Sequence, residues 1–183
     1  MNRRSFCLAF VASLAASPLL AQTPARETSA KETPVQIVTL IYKQSAGKSG
    51  KYDVPSAFSS RTVRAKYFSK AFLGDVNRAE ALSKKLDEPI LDFNPVTNSQ
   101  EPSVNELQIT SESETDKSAV VAATFYSFEE PKPSIVRYLF VRKNGGWRID
   151  DMTGAHNTDK WELRKMLADT MAEAIKEQPS GKK

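Results

Sequence analysis

The chain has 183 residues, a single cysteine, a single histidine and a formal net charge of +4. A charge this small argues against the strongly basic surface that nucleic acids or acidic membranes attract. One cysteine excludes an intramolecular disulfide framework. The length is sufficient for one domain with its own hydrophobic core.

Residues 1–25 have the layout of a bacterial secretory signal, which combines a positive start, an apolar middle and small residues before the cleavage point. Two arginines, Arg3 and Arg4, precede a run without charge. We therefore predict a signal peptide that is cleaved after Ala21 or Ala25. The arginine pair is also similar to a twin-arginine signal, but the general secretory (Sec) route is the preferred interpretation.

Cleavage would leave a periplasmic or secreted protein without a cysteine, because Cys7 lies inside the signal. The predicted mature protein therefore has no thiol chemistry, and we expect no cofactor, no nucleic acid partner and no stable membrane insertion. The domain organisation follows as a signal (1–21), a disordered lead-in (22–33), a single domain (34–177) and a flexible tail (178–183).

Three helices are predicted in the first half of the domain. Pro34 opens the first helix, because proline suits the first helical position. The second follows Ser59 or Ser60, either of which is a good N-cap. Gly74 is expected to end the second helix, and Asp75 to cap the third.

Apolar residues recur with a period of two in the second half, which predicts four antiparallel strands at 104–111, 119–128, 135–142 and 147–152. Asn144-Gly145-Gly146 predicts a tight hairpin turn between the last two. Both middle strands are apolar on both faces, so we expect something packed on each side of them. A final helix is expected to start near Asn157 or Thr158, with Trp161 and Ile175 in its apolar stripe.

This order of elements predicts an α+β fold. N-terminal helices would pack on a curved four-stranded antiparallel sheet, and the C-terminal helix would complete the domain. Helices that precede a curved sheet often produce a cone with one open mouth, and such a mouth is where we expect a ligand to bind.

Three stretches of sequence resemble a known family. They are LDFNPVTNSQ at 91–100, GGWRIDD at 145–151 and LRKML at 163–167. Together they resemble the bacterial domain-of-unknown-function family DUF3828, over about residues 35–168. The resemblance implies a cystatin-like or nuclear-transport-factor-2-like (NTF2-like) cone and an envelope location, and it supplies no established activity.

The first of these stretches and the residue after it are rich in oxygen ligands that a cation could use, namely Asp92, Asn94, Asn98, Gln100 and Glu101. An EF-hand loop needs acids at alternate positions and a glycine in mid-loop. Pro95 and Val96 interrupt the series here, and no glycine is present. We therefore predict no metal, and expect Asp92 and Gln100 to satisfy backbone groups in a turn.

The last predicted strand carries three charged side chains, those of Arg148, Asp150 and Asp151. Strict alternation places Asp151 on the same face as Trp147 and Ile149. Burial there would raise the pKa of Asp151 and suit it to acid or base catalysis. The alternative is that Asp151 caps a turn or pairs with a nearby Arg or Lys.

Several other residues are candidates for binding. The candidates for contact with a ligand are Asp92, Gln100, Tyr138, Trp147, Arg148 and Asp151. Arg61, Arg64, Lys66 and Lys70 form a basic patch, for which a solvated helix face is the preferred explanation. His156 is expected in a loop, because a single histidine supports neither a zinc site nor a triad without a nucleophile motif.

These observations favour a non-enzymatic envelope module that binds a small ligand or a protein partner. An immunity or inhibitor protein that neutralises a toxin would be one version of it. The alternative is a carboxylate-based hydrolase or isomerase with Asp151 as the base, assisted by Arg148 or Tyr138. A third possibility is a scaffold component whose role is assembly alone.

Overall fold

The structure of the protein is a computed structural model that describes residues 31–48, 50–52, 57–127, 131–156 and 159–176. The predicted signal peptide, most of the lead-in, Phe128 and the C-terminal tail lie outside the described residues. So do Asn157 and Thr158, where the last helix was predicted to begin.

The first helix, α1 (Pro34–Ser45), begins where the sequence predicts. Thr33 is its N-cap, and the Thr33 hydroxyl accepts a hydrogen bond from the backbone N–H of Gln36 at 3.2 Å. The Gln36 side chain accepts in return from the Thr33 N–H at 2.9 Å. This capping box, together with Pro34, fixes the start of the helix. Its apolar face is buried on the sheet through Ile37, Val38, Ile41 and Tyr42.

A single 3₁₀ turn (Ala57–Ser59) leads into two consecutive helices, α2 (Arg61–Tyr67) and α3 (Lys70–Leu86). The break between them falls at Phe68 and Ser69. The Ser69 hydroxyl caps α3 by accepting from Phe72 N at 3.1 Å. Both helices thus begin after a serine, as N-cap preferences lead us to expect.

The predicted helix boundary at Gly74 and Asp75 is wrong, since both residues lie inside α3. The Ser69 N–H donates to the carbonyl oxygen of Ile149 in the sheet at 2.8 Å. This tertiary contact fixes the break earlier in the chain. A glycine within a helix costs only about 1 kcal/mol relative to alanine, which surrounding packing readily offsets.

The strands of the described residues form one open antiparallel sheet in sequence order, with five strands where four were predicted. They are β1 (Asn105–Glu114), β2 (Ser118–Tyr126), β3 (Ser134–Lys143), β4 (Gly146–His156) and β5 (Asp159–Glu162). The hairpin between β3 and β4 is confirmed, because Asn144 and Gly145 both have the positive φ that a tight primed turn requires.

The fifth strand occupies residues that were predicted to begin the last helix. β4 continues to His156, where a loop was expected, and β5 pairs with it so that Trp161 lies opposite Gly154. The last helix, α4 (Leu163–Lys176), therefore starts later than predicted. Trp161 belongs to a strand, and Ile175 is exposed rather than part of the apolar stripe.

The core lies between the helices and one face of the sheet. On β2 and β3 that face is fully buried, through Val121, Ala123, Phe125, Val136, Tyr138 and Phe140. The opposite face is only partly buried at Val120, Ile135, Leu139 and Val141. Something packed on each side of these strands was expected, and the structure shows full cover on the helix side and partial cover on the other. The α+β class is confirmed, and no helix in the described part of the chain is long and apolar enough to cross a membrane.

A β-bulge in β4 changes which side chains share a face. Phe140 pairs with Ile149, whereas the preceding Leu139 pairs with Asp151, so Asp150 is an extra residue on β4. Neighbouring residues of β3 point to opposite faces. Asp151 therefore does not lie on the Ile149 face, as strict alternation had predicted.

Candidate ligand-binding site

The main cavity has a volume of about 740 Å³ and lies among the helices and the loop at 89–100. α2, α3 and α4 each contribute to it, as does the 3₁₀ turn. Its wall is mostly apolar, through Phe58, Val76, Ala79, Ile90, Leu91 and Leu167. Binding sites for small molecules are typically of this size and combine apolar walls with a few polar groups.

One ion pair contributes to the wall of the main cavity. Arg64 Nη1 lies 2.6 Å from Glu80 Oε1, and the Arg64 side chain is only 2 % exposed. The hydrogen bond from Arg64 holds the pKa of Glu80 below its ordinary value, so this carboxylate is charged at neutral pH. Arg64 is buried and is paired with Glu80 through Nη1. It therefore gives the cavity a polar group with a defined orientation.

The loop that closes the cavity is held firmly by its own polar residues. Asn94 Oδ1 accepts from Val96 N at 3.0 Å, and Asn94 N donates to Ser99 O at 2.9 Å. Val96 is completely buried, and its carbonyl accepts from the Tyr42 hydroxyl at 2.7 Å. These bonds tie the loop together and anchor one wall of the cavity to α1.

Asn98 is the centre of this anchoring. It has a φ of 53°, in the left-handed region that asparagine tolerates better than most residues. Its side-chain amide donates to Ala155 O at 2.7 Å, and its side-chain oxygen accepts from Trp161 Nε1 at 2.9 Å. One buried side chain thus joins the loop to both β4 and β5.

A side cavity of about 520 Å³ adjoins the main one. Asp92, Phe93 and Gln100 line both, so the two are neighbouring parts of one surface feature. Trp161 forms an aromatic wall of the side cavity, with its ring centre 5.4 Å from that of Phe93 and an interplanar angle of 63°. A ligand in the main cavity could therefore extend toward an aromatic pair.

Of the six predicted ligand-contact residues, two lie at these cavities. Asp92 and Gln100 are exposed and line both of them. We predicted that Asp92 and Gln100 satisfy backbone groups in a turn, whereas in the structure Asn94 does so by accepting from Val96 N. The Asn98 side chain bonds to β4 and β5 instead. Asp92 and Gln100 are thus available to a ligand.

The other four predicted residues lie elsewhere. Tyr138 is fully buried in the core, with its ring 6.3 Å from that of Tyr42, and burial raises the pKa of its hydroxyl. Trp147 is buried beneath the guanidinium of Arg142, at 4.6 Å from the ring centre. Arg148 Nη1 donates to the carbonyl of Trp147 at 2.7 Å. Neither cavity includes any of these residues.

Asp151, the fourth, caps a helix. Its Oδ1 accepts from Arg164 N at 3.1 Å, in the first turn of α4, and from Met152 N at 2.7 Å. Burial raises the pKa of Asp151, and these two backbone hydrogen bonds oppose the rise. Arg164 also reaches Asp75 at 2.6 Å and Asp150 at 3.4 Å. The catalytic role of Asp151 stays a prediction.

Sequence reasoning did not identify the Arg64–Glu80 pair as part of a site. Arg64 was grouped with Arg61, Lys66 and Lys70, but it is buried while the other three are exposed. The only signal in the sequence was its spacing from Val63 and Tyr67 on a short amphipathic helix, which does not reveal a partner on α3. Among the described residues, no group of three or more His, Cys, Asp or Glu is placed to hold a metal ion.

Comparisons with known proteins give no relative for this chain: no protein-family model, no curated protein and no solved structure matches it.

Proposed function

We propose that the protein binds a small, largely apolar molecule in the main cavity. The observation that carries this proposal is the cavity itself, with its apolar wall, its volume of about 740 Å³ and the buried Arg64–Glu80 pair. A drug-sized ligand fits such a volume. Its apolar body would contact the side chains of α3 and α4, and a polar end would lie at the ion pair or near Asp92 and Gln100.

The hydrogen bonds that hold the loop at 89–100 favour a role in ligand binding over a role that only covers the core. Asn98 and Val96 hold it by hydrogen bonds to the strands and to α1, so the cavity is preformed. A preformed site loses less conformational entropy on binding than one that must be ordered by its ligand. The residues that would contact the ligand therefore lie on a rigid frame.

The proposal is tested with the neutral apolar dye Nile red. We expect saturable fluorescence enhancement with the purified protein, and weakening by about tenfold or more in Ala79→Phe, because the larger side chain fills the cavity. Ala71→Phe is the matched control, since Ala71 is exposed on the same helix and outside both cavities. Leu91→Trp blocks the same cavity from the loop side.

Circular dichroism of each variant verifies that it is folded. Equal dye binding by Ala79→Phe, Leu91→Trp and the unmodified protein would contradict the proposal, because a ligand in the main cavity cannot be indifferent to both substitutions. Loss of binding in Ala71→Phe as well would mean that the dye binds elsewhere.

We further propose that this binding takes place outside the cytoplasm and that the fold is a DUF3828-type, cystatin-like or NTF2-like cone. The layout of residues 1–25 supports export, and α1 packed on β1 and β2 supports a helix-covered sheet of that kind. The mass of the protein recovered from the periplasm or culture medium tests export. Loss of residues 1–21 or 1–25 is expected, and an intact N-terminus would contradict it.

A further inference from the structure

A second surface feature lies between α2 and α3 and shares the Arg64–Glu80 pair with the main cavity. This basic groove has a volume of about 490 Å³ and is lined by Arg61 and Arg64 of α2 and by Asn77, Glu80 and Lys84 of α3. On each helix these polar lining residues are three or four positions apart, so each helix presents one face to the groove. The apolar part of its wall consists of Ala65, Leu73 and Ala81.

The charges in the basic groove do not balance. Three cations, those of Arg61, Arg64 and Lys84, share the single carboxylate of Glu80, and all three hold its pKa below the ordinary value. Glu80 makes its hydrogen bond to Arg64 alone. Within the described residues, neither Arg61 nor Lys84 forms an ion pair. The groove therefore has an excess of positive charge inside a concave surface, which attracts anions.

The buried arginine adds a second and independent observation. Nε of Arg64 is buried and has no hydrogen-bond partner among the residues that the structure describes. Buried polar groups are nearly always paired, and an unpaired N–H of a charged group costs free energy. An acceptor oxygen brought within hydrogen-bond distance of this Nε would remove that cost.

We propose that the basic groove binds a phosphate group. A phosphate offers several acceptor oxygens to the forked donors of Arg61 and Arg64 and to the ammonium group of Lys84. The amide of Asn77 can donate one further hydrogen bond. A free phosphate and the headgroup of an anionic lipid share this chemistry.

The rest of the predicted basic patch does not belong to this site. Lys66 is paired with Glu32 at 3.0 Å and with the Tyr67 hydroxyl at 2.7 Å. Lys70 is exposed at the start of α3 and does not line the groove. The structure thus selects Arg61 and Arg64 from the patch and adds Lys84, which the sequence did not group with them.

The test is a titration of the ¹⁵N-labelled purified protein with inorganic phosphate, followed by NMR. We expect saturable shifts at backbone amides of α2 and α3 that weaken as salt is raised. Arg61→Gln and Lys84→Gln should each weaken binding by about three- to tenfold. Both residues are exposed, so these variants fold. Lys70→Gln, which removes an equal charge from α3, should leave the affinity unchanged.

The absence of saturable shifts on α2 and α3 would overturn the proposal, as would equal weakening by Lys70→Gln, because the effect would then be one of net charge. Co-sedimentation with vesicles identifies the source of the phosphate. Binding to phosphatidylglycerol vesicles but not to phosphatidylcholine vesicles, lost in Lys84→Gln, would indicate a lipid headgroup. Binding of inorganic phosphate without vesicle binding would indicate free phosphate or a soluble ester.

Discussion

At the scale of single residues, position 154 is where the structure most clearly requires glycine. A Cβ atom at this position would lie 2.4 Å from Cζ2 of Trp161, which is far inside van der Waals contact. The tryptophan ring lies over β4 only because residue 154 has no side chain. Gly154 thus positions the aromatic wall of the side cavity.

We predict that Gly154→Ala lowers the free energy of unfolding by about 1–3 kcal/mol, because the fixed indole ring must shift. Gly74→Ala is the control. Its Cβ would meet only the flexible side chain of Arg78 at 3.5 Å, and α3 should gain about 0.5–1 kcal/mol. Urea denaturation measures both. Stabilisation by Gly154→Ala would contradict the placement of Trp161, and destabilisation by Gly74→Ala would contradict the continuous helix.

Asp151 allows a prediction of pH dependence. Burial raises its pKa in the folded protein, so the folded state holds this proton more tightly than the unfolded chain. Its contribution to stability is therefore full below the ordinary carboxyl pKa of 3.8 and is lost as the pH rises through the raised value. Asp151→Asn retains the oxygen that caps α4 but does not titrate.

We expect the free energy of unfolding of the unmodified protein, relative to that of Asp151→Asn, to decrease as the pH rises from about 3 to about 7. Chemical denaturation at a series of pH values gives this difference. The contributions of the other carboxylates to the free energy of unfolding are nearly the same in both proteins, so they largely cancel. A difference that increases with pH would show that the two backbone hydrogen bonds outweigh burial and that the folded-state pKa is lowered.

At the scale of elements, the loop at 89–100 depends on Asn98. We predict that Asn98→Ala lowers the free energy of unfolding by about 2–4 kcal/mol. The change leaves Trp161 Nε1 and Ala155 O without their partner and puts alanine at a positive φ. Asn105→Ala should change it by less than about 0.5 kcal/mol, because the Asn105 side chain is exposed and donates to the hydroxyl of Ser103 two residues away. If urea denaturation gave the same loss of unfolding free energy for Asn98→Ala and Asn105→Ala, the anchoring role of Asn98 would be contradicted.

Elements that depend on local signals could be predicted from the sequence. The capping box at Thr33 and Gln36 and the Asn144-Gly145 turn lie within a few residues of the structure they determine. β2 and β3 likewise carry a strong alternating pattern. The break at Ser69 depends on Ile149 O, eighty residues away in the sequence, and β5 depends on the match of Trp161 to Gly154. No local pattern contains such contacts.

The candidate site likewise has residues that local sequence could predict and residues that it could not. Asp92 and Gln100 were predicted because they lie in one polar loop, and both line the cavities. The pairing of Arg64 with Glu80 joins two helices across the unpredicted break at Ser69, so the sequence could not indicate it. The bulge at Asp150 moved Asp151 off the predicted face for a similar reason, since a bulge adds a residue that alternation does not anticipate.

At the scale of the whole molecule, two features with different chemistry share one ion pair. The main cavity is mostly apolar, and the basic groove carries excess positive charge, yet Arg64 and Glu80 line both. We therefore predict different ligands for the main cavity and the basic groove, and different substitutions test the two predictions. Ala79→Phe should leave phosphate binding unchanged, and Lys84→Gln should leave Nile red binding unchanged.

The central claim is that the main cavity holds a small molecule, and the native mass spectrum of the protein purified without detergent from the cells that make it tests this most directly. We predict an additional mass of a few hundred daltons on the unmodified protein and on Ala71→Phe, and none on Ala79→Phe. A bare mass for all three, or the same additional mass on Ala79→Phe, would contradict the claim.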